Sequence, residues 1–211
     1  MRFLMYKLYY GPGACSMGIH IMLRELNAPF ELHRVSLMDG DQRKPEFLHI
    51  NPRGQIPVLV DAGQPVREGA AIIAYLAAKH PTPLLPMNPP DAAALEWMCW
   101  ANATLHPAYS RAMWIKRNFA NEANYNALMT NAIQALNTLW QEADQVLGTR
   151  PYLAGNTPTM GDIMMTVMAN WGTAQPVHLG QNVRRVIKDM VARPAYQAAL
   201  TAEQVEYKAA A

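Results

Sequence analysis

The sequence predicts an α/β half followed by an all-helical half, with elements in the order βαβ-ββα and then helices alone. Three observations carry this. The first 80 residues alternate short apolar runs with stripes of helical period. Residues 81–90, PTPLLPMNPP, hold five prolines and read as a stiff connection without helix or strand. Beyond them every periodic segment is helical. The division expected is 1–82, a linker over 83–90, and 91–211.

FLMYKLYY (3–10) is aromatic and apolar and stops at Gly11-Pro12-Gly13, so it reads as a strand. From Cys15 the period changes: Ile19, Met22, Leu23 and Leu26 stand at i, i+3, i+4 and i+7 of one helix, which Asn27 and Pro29 end. FELHRVSL (30–37) is a second strand, and a strand–helix–strand crossover makes the pair parallel. KPEFLHI is a short helix or turn closed by Asn51-Pro52-Arg53-Gly54. IPVLVD (56–61) and a short VRE partner, joined by a tight turn, form an antiparallel pair, and GAAIIAYLAAKH (69–80) is a helix stopped by Pro81.

In the second half, Asp91 caps a long helix that Pro107 kinks or breaks. Between 124 and 147, Leu128, Ala132, Ala135, Leu136, Leu139, Ala143 and Val146 mark a buried face. Thr159 followed by Asp162 three residues later has the form of a capping box. Two shorter helices fit 181–192 and 194–201.

Hydrophobic residues make up 51% and charged residues 16%, with a net charge of +2, a globular balance rather than a disordered one. Lys and Arg are scattered, which argues against a nucleic-acid partner. No apolar run is long enough to span a membrane, and the N-terminus is too short and interrupted for a signal peptide. Two distant cysteines make neither a disulfide framework nor a zinc pattern, so no metal is expected. A cytoplasmic location with free thiols follows as the expectation.

Four features could do chemistry. Cys15 stands at the start of a helix, where free N–H groups and the macrodipole stabilise a thiolate and lower its pKa; the other reading is a buried, inert cysteine. Gly18 occupies the place of a second cysteine, which disfavours dithiol chemistry. A cis Ile56–Pro57 bond could turn the Ile56 backbone outward toward an extended peptide ligand. Glu68, with Gly69 opening a helix, could hold the ammonium and carboxylate of an amino-acid head group, or Glu68 could simply complement the helix dipole.

YYGPGACS, NPRGQIPVLV and REGAAIIAYLA occur together in the order and spacing of the glutathione transferases. The first resembles the bacterial beta class, whose members carry a cysteine after Pro-Gly-Ala. The resemblance spans essentially the whole chain, including LHP and TPTMGDI in the helical half. It implies a thioredoxin-like first domain, an all-helical second domain and a homodimer. It implies Cys15 at the glutathione sulphur, the Ile56 backbone and cis-Pro57 at the cysteinyl part, Glu68 and Gly69 at the γ-glutamyl end, and His106 as a second-domain group near the thiol. Glutathione is then a co-substrate, and no other cofactor is implied. The sequence departs from the pattern twice. Asp39 and Gly40 stand where the class commonly has a lysine, with Arg43, Lys44 or Arg53 as possible replacements. Cys99 stands where an asparagine is usual; at i, i+3 and i+7, Cys99, Asn102 and His106 would share one face. Cys99 is otherwise expected to be packed and shielded between Trp97 and Trp100.

The function implied is detoxifying conjugation of glutathione to small hydrophobic electrophiles, with Tyr109, Met113 and Trp114 as a wall for the second substrate. Two alternatives stand beside it. One is glutathione-dependent thiol transfer through a mixed disulfide on Cys15. The other is a ligand-binding module without catalysis.

Overall fold

The structure is a computed structural model that describes residues 5–174 and 176–209. The chain forms two compact units. One comprises residues 1–91 and 192–206, the other 92–191 and 207–211.

The first unit is built on a four-stranded sheet, β1 (Tyr6–Tyr10), β2 (Phe30–Arg34), β3 (Val58–Asp61) and β4 (Gln64–Arg67), in spatial order β2-β1-β3-β4. β1 and β2 are parallel, and β3 is antiparallel to both β1 and β4. Residues 3 and 4 of the expected first strand lie outside the described residues. Period-two alternation assigns the faces. Tyr6, Leu8 and Tyr10 are buried on one side, while Tyr9 joins Val35, Phe47 and Val58 in a cluster on the other. β3 begins two residues later than the apolar run because Pro57 has no N–H for the ladder.

Three helices complete the α/β part: α1 (Ser16–Glu25), α2 (Pro45–Ile50) and α3 (Gly69–Lys79). Residues 16–23 of α1 are all buried, since α1 meets the sheet, α3 and the helix that returns at the end of the chain.

The second unit contains α4 (Ala92–Trp100), α5 (His106–Asn118), α6 (Tyr125–Leu147), α7 (Met160–Ala169) and α8 (Gln181–Val191). α9 (Pro194–Glu203) belongs to the first unit. Pro107 does not end the long helix. A π turn over Ala101–Leu105, with the His106 N–H donating to the Ala101 carbonyl, joins α4 to α5, and the proline sits in the first turn of α5. The buried stripe of α6 runs through Met129, Ala132, Leu136, Trp140, Ala143 and Leu147. It is displaced by one position from the Leu128–Leu139–Val146 line, because Trp140 is drawn fully inside and donates its indole N–H to Tyr109 at 2.9 Å.

α7 is buried along its whole length and forms the centre of this unit. Its start is set as the Thr159–Asp162 spacing predicts. The Asp162 carboxylate accepts from the Thr159 N–H at 2.8 Å and the Thr159 hydroxyl at 3.0 Å, and its other oxygen accepts from the Leu153 N–H at 2.8 Å. Gly161 lets α7 approach α4: a Cβ there would stand 2.8 Å from the Trp97 Cβ. Asp162→Ala removes the acceptor of three buried donors, and urea denaturation is expected to show a loss of about 2–4 kcal/mol.

Candidate functional site

The register of the sheet collects three loops at one end. Tyr9 pairs with Val58, and Val58 pairs with Arg67. The Gly-Pro-Gly-Ala-Cys loop leaves the sheet just after Tyr9 and Tyr10. Ile56 and Pro57 enter just before Val58, and Glu68 and Gly69 follow Arg67. Cys15, Ile56-Pro57 and Glu68-Gly69 therefore share one end of the sheet. His106 lies in the second unit.

The first loop is held by Ser16. The Gly11 N–H donates to Ser16 Oγ and the Ser16 hydroxyl donates to the Gly11 carbonyl, both at 3.2 Å, and the Ala14 N–H donates to Gly11 O at 3.0 Å. Gly11 leaves room for the Ile56 side chain, since a Cβ would stand 2.8 Å from Ile56 Cδ1 and push it aside. The second loop is organised by buried Asn51. Its side-chain amide donates to the Gln55 carbonyl at 2.6 Å, and its carbonyls accept from the N–H groups of Arg53 and Gly54. The Ile56–Pro57 bond is cis. Neither the N–H nor the C=O of Ile56 has an intramolecular partner among the described residues, so both can receive an extended ligand.

Glu68 caps α3 with φ 70°, in the left-handed region that a side chain other than glycine rarely adopts. Its exposed carboxylate is paired with the guanidinium of Arg53. Of the three cations that could stand in for the class lysine, Arg53 is thus held by Glu68 and Lys44 by Asp41 at 2.6 Å. Arg43 makes no ion pair among the described residues. Asp39 accepts from the Ser36 hydroxyl at 2.6 Å.

Cys15 is the N-cap of α1, as the sequence places it, but its thiol behaves otherwise. It is 8% exposed, and burial pushes its pKa up to about 11, outweighing the lowering by backbone N–H groups. The nearby Glu68 carboxylate adds to the rise. The expectation of a lowered pKa is corrected on this ground. Cys99 is also corrected: it is exposed rather than shielded between tryptophans. Trp97 and Trp100 turn inward and meet edge-to-face at 5.1 Å. The face expected to carry Cys99, Asn102 and His106 assumed α-helical period throughout, and the π turn interrupts that period between Cys99 and His106.

His106 opens α5, half-buried, with its ring edge-to-face on Trp171 at 5.1 Å. Burial lowers its pKa and favours neutral imidazole. It lines a groove of about 980 Å³ with Arg111, Trp114, Ile115, Phe119 and Leu128 among others. Trp114 is thus a wall of an apolar groove, and Met113 is exposed beside it in sequence. Tyr109 is withdrawn: it is fully buried, with its hydroxyl accepting from Trp140, and presents no surface to a ligand. Sequence reasoning missed Trp171 and the buried pair His20–Glu203 with its partner Arg24, because neither is marked by a local motif. Among the described residues there is no cluster of three metal-ligating side chains, and no helix is long and apolar enough to cross a membrane.

The sheet, its crossover and its flanking helices define a thioredoxin-like domain, and the chain couples it to a helical domain. The family described as "Glutathione S-transferase, N-terminal domain" matches residues 13–79. Glutathione S-transferase GST-4.5 of Xanthomonas campestris is 32% identical over 202 residues, covering 93% of this chain and 98% of that protein. The solved glutathione S-transferase from Xylella fastidiosa superposes with a TM-score of 0.87 at 29% identity, covering 95% of this chain and all of that one. A glutathione transferase family member from Pseudomonas fluorescens, solved with two glutathione bound, gives 0.81 at 28% identity, covering 95% and 94%. The chain belongs to the glutathione S-transferase family.

With Cys15 buried at a pKa of about 11, its alkylation rate rises about tenfold per pH unit through neutrality, because only the thiolate reacts. Peptide mapping after limited iodoacetamide treatment at pH 7 is expected to find Cys99 modified first.

Proposed function

We propose that this protein is a glutathione transferase of the beta-class type, binding glutathione at the collected end of the sheet and conjugating its thiolate to small hydrophobic electrophiles. The observation that carries the reading is the Tyr9–Val58–Arg67 register. It aligns the open backbone pair of Ile56 with the start of α3 and with the Cys15 loop. Ile56 would take up the peptide part of glutathione as an added strand does. Glu68 would exchange Arg53 for the γ-glutamyl ammonium, and the N–H groups from Gly69 onward would receive the adjoining carboxylate. The relative solved with glutathione bound supports this ligand.

Conjugation needs an ionised glutathione sulphur at neutral pH. Cys15, protonated at that pH by its burial, is suited to donate its S–H to that thiolate, which hydrogen bonding stabilises. The same protonation makes Cys15 a poor nucleophile and disfavours thiol transfer through a mixed disulfide. Within the second unit, the groove lined by His106 and Trp114 would take up the electrophile's apolar part. The working form proposed is a cytoplasmic homodimer with a detoxifying role.

Glu68→Ala is expected to weaken glutathione binding roughly tenfold or more in calorimetry, since a charge-assisted bond is lost, while the melting temperature barely changes. Unchanged affinity would leave Glu68 as a helix-cap residue only. Cys15→Ala is expected to lower conjugation but not abolish it; complete loss of conjugation with retained glutathione binding would favour a covalent role for Cys15.

A further inference from the structure

The segment that builds the groove of the second unit carries an unbalanced charge. Between Glu96 and Glu142 the sequence has Arg111, Lys116 and Arg117 but a single carboxylate, Glu122. Of these charged residues only Arg111 lines the groove. Among the described residues Arg111 has neither a hydrogen bond nor an ion pair. Burial holds His106, which also lines the groove, in its neutral form. The facing surface is apolar. Trp114 is 56% exposed and meets the Phe119 ring at 5.0 Å, and Ile115 and Leu128 continue that wall. Trp114 and Ile115 follow Arg111 at i+3 and i+4, so the cation and the apolar wall share one face of α5, with Cβ atoms about 5–6 Å apart.

We propose that Arg111 is a specificity-determining residue, selecting electrophiles that carry a carboxylate beside an apolar ring. The inference names the substrate class of the conjugation proposed above and rests on that reading. An arginine paired with an internal carboxylate would belong to the framework, whereas the donors of Arg111 are open to a ligand. Its planar guanidinium matches a carboxylate through two parallel hydrogen bonds. An uncharged ring seated on Trp114 and Phe119 would take water from the cation and give nothing back, and a cationic one would be repelled. A ring bearing a carboxylate satisfies both parts of the groove, and the Ser110 hydroxyl on the same wall adds a donor. The reaction on such a substrate is a substitution. The glutathione thiolate bonds to the ring carbon that bears a halide, the halide leaves with its bonding pair, and the thiol proton passes to solvent. Arg111 takes no part in those bond changes, so its effect falls on KM more than on kcat.

The test compares para-chloro-meta-nitrobenzoate with its amide, each with glutathione and the full chain. Dividing each kcat/KM by the uncatalysed rate removes the difference in ring reactivity. The parent protein is expected to favour the carboxylate. Arg111→Gln is expected to lower that preference by about tenfold or more, chiefly through KM, as a charge-assisted pair is lost. Arg111→Lys is expected to restore part of it, because the charge returns without the planar fork. Lys116→Gln removes an equal charge from the same helix outside the groove and is expected to leave the preference at the parent value. No preference in the parent overturns the proposal, as does a parental preference in folded Arg111→Gln. An equal drop in Lys116→Gln also overturns it, since the general field of α5 would then account for the effect. Should Arg111→Gln not fold, the parent decides. Its preference is expected to collapse in about 1 M salt, where the screening length is about 3 Å, and a salt-independent preference overturns the proposal. If neither electrophile is conjugated, the conjugation reading fails by itself. Calorimetric titration with para-chloro-meta-nitrobenzoate then judges the site: tighter binding to the parent than to Arg111→Gln supports it, and equal or absent binding overturns it.

Discussion

The arrangement of the first unit depends on one rung of its sheet, Tyr9–Val58–Arg67. Side chains alternate with a period of two along a strand, so a slip of one residue would send every side chain to the opposite face. It would also move each loop by about 3.3 Å along the strand direction. The apolar alternation of β1 and the Val35–Phe47–Val58 cluster forbid that slip. What the core secures for stability thus also brings Cys15, Ile56 and Glu68 to one end. Two local features finish the alignment. Gly11 leaves room for the Ile56 side chain, and Pro57 ends the ladder so that the Ile56 backbone stays uncommitted.

Cys15 shows two influences of opposite sign acting on one thiol. A helix N-terminus favours an anion, usually by about 0.3–1 kcal/mol. Full desolvation can move a pKa by about 3–5 units in the other direction, at 1.36 kcal/mol for each unit. Burial wins here, and the thiol stays protonated at neutral pH. A protonated thiol is a donor rather than an attacking group. The proposed conjugation uses the thiol in that donor role.

The first unit is assembled from two distant stretches of chain. α1 is buried on nearly every side, and a histidine in such a helix needs a partner from whatever packs against it. α9 supplies Glu203, and Arg193 adds a second tie to Glu25. In the second unit the same rule appears at Asp162, whose carboxylate joins the start of α7 to the Leu153 backbone. At Glu203 and Asp162 alike, each carboxylate oxygen accepts a hydrogen bond.

Sequence by itself determined the order of elements, the parallel β1–β2 and antiparallel β3–β4 pairs, the capping of α7 and the candidate loops, because all of these follow from local periodicity, turn residues and short spacings; the β1–β3 pairing that joins them was decided by the packed sheet. It placed Cys15 at the head of α1 but not the state of its thiol, because desolvation depends on atoms brought in from elsewhere. It misjudged Cys99 and Tyr109 for a related reason. Which side of α4 and α5 faces inward was decided by the π turn over Ala101–Leu105 and by Trp140 reaching Tyr109. The return of α9 to the first unit had no local signature at all. His20 and Glu203 are 183 positions apart, and only the packed fold, by removing both from water, made them partners.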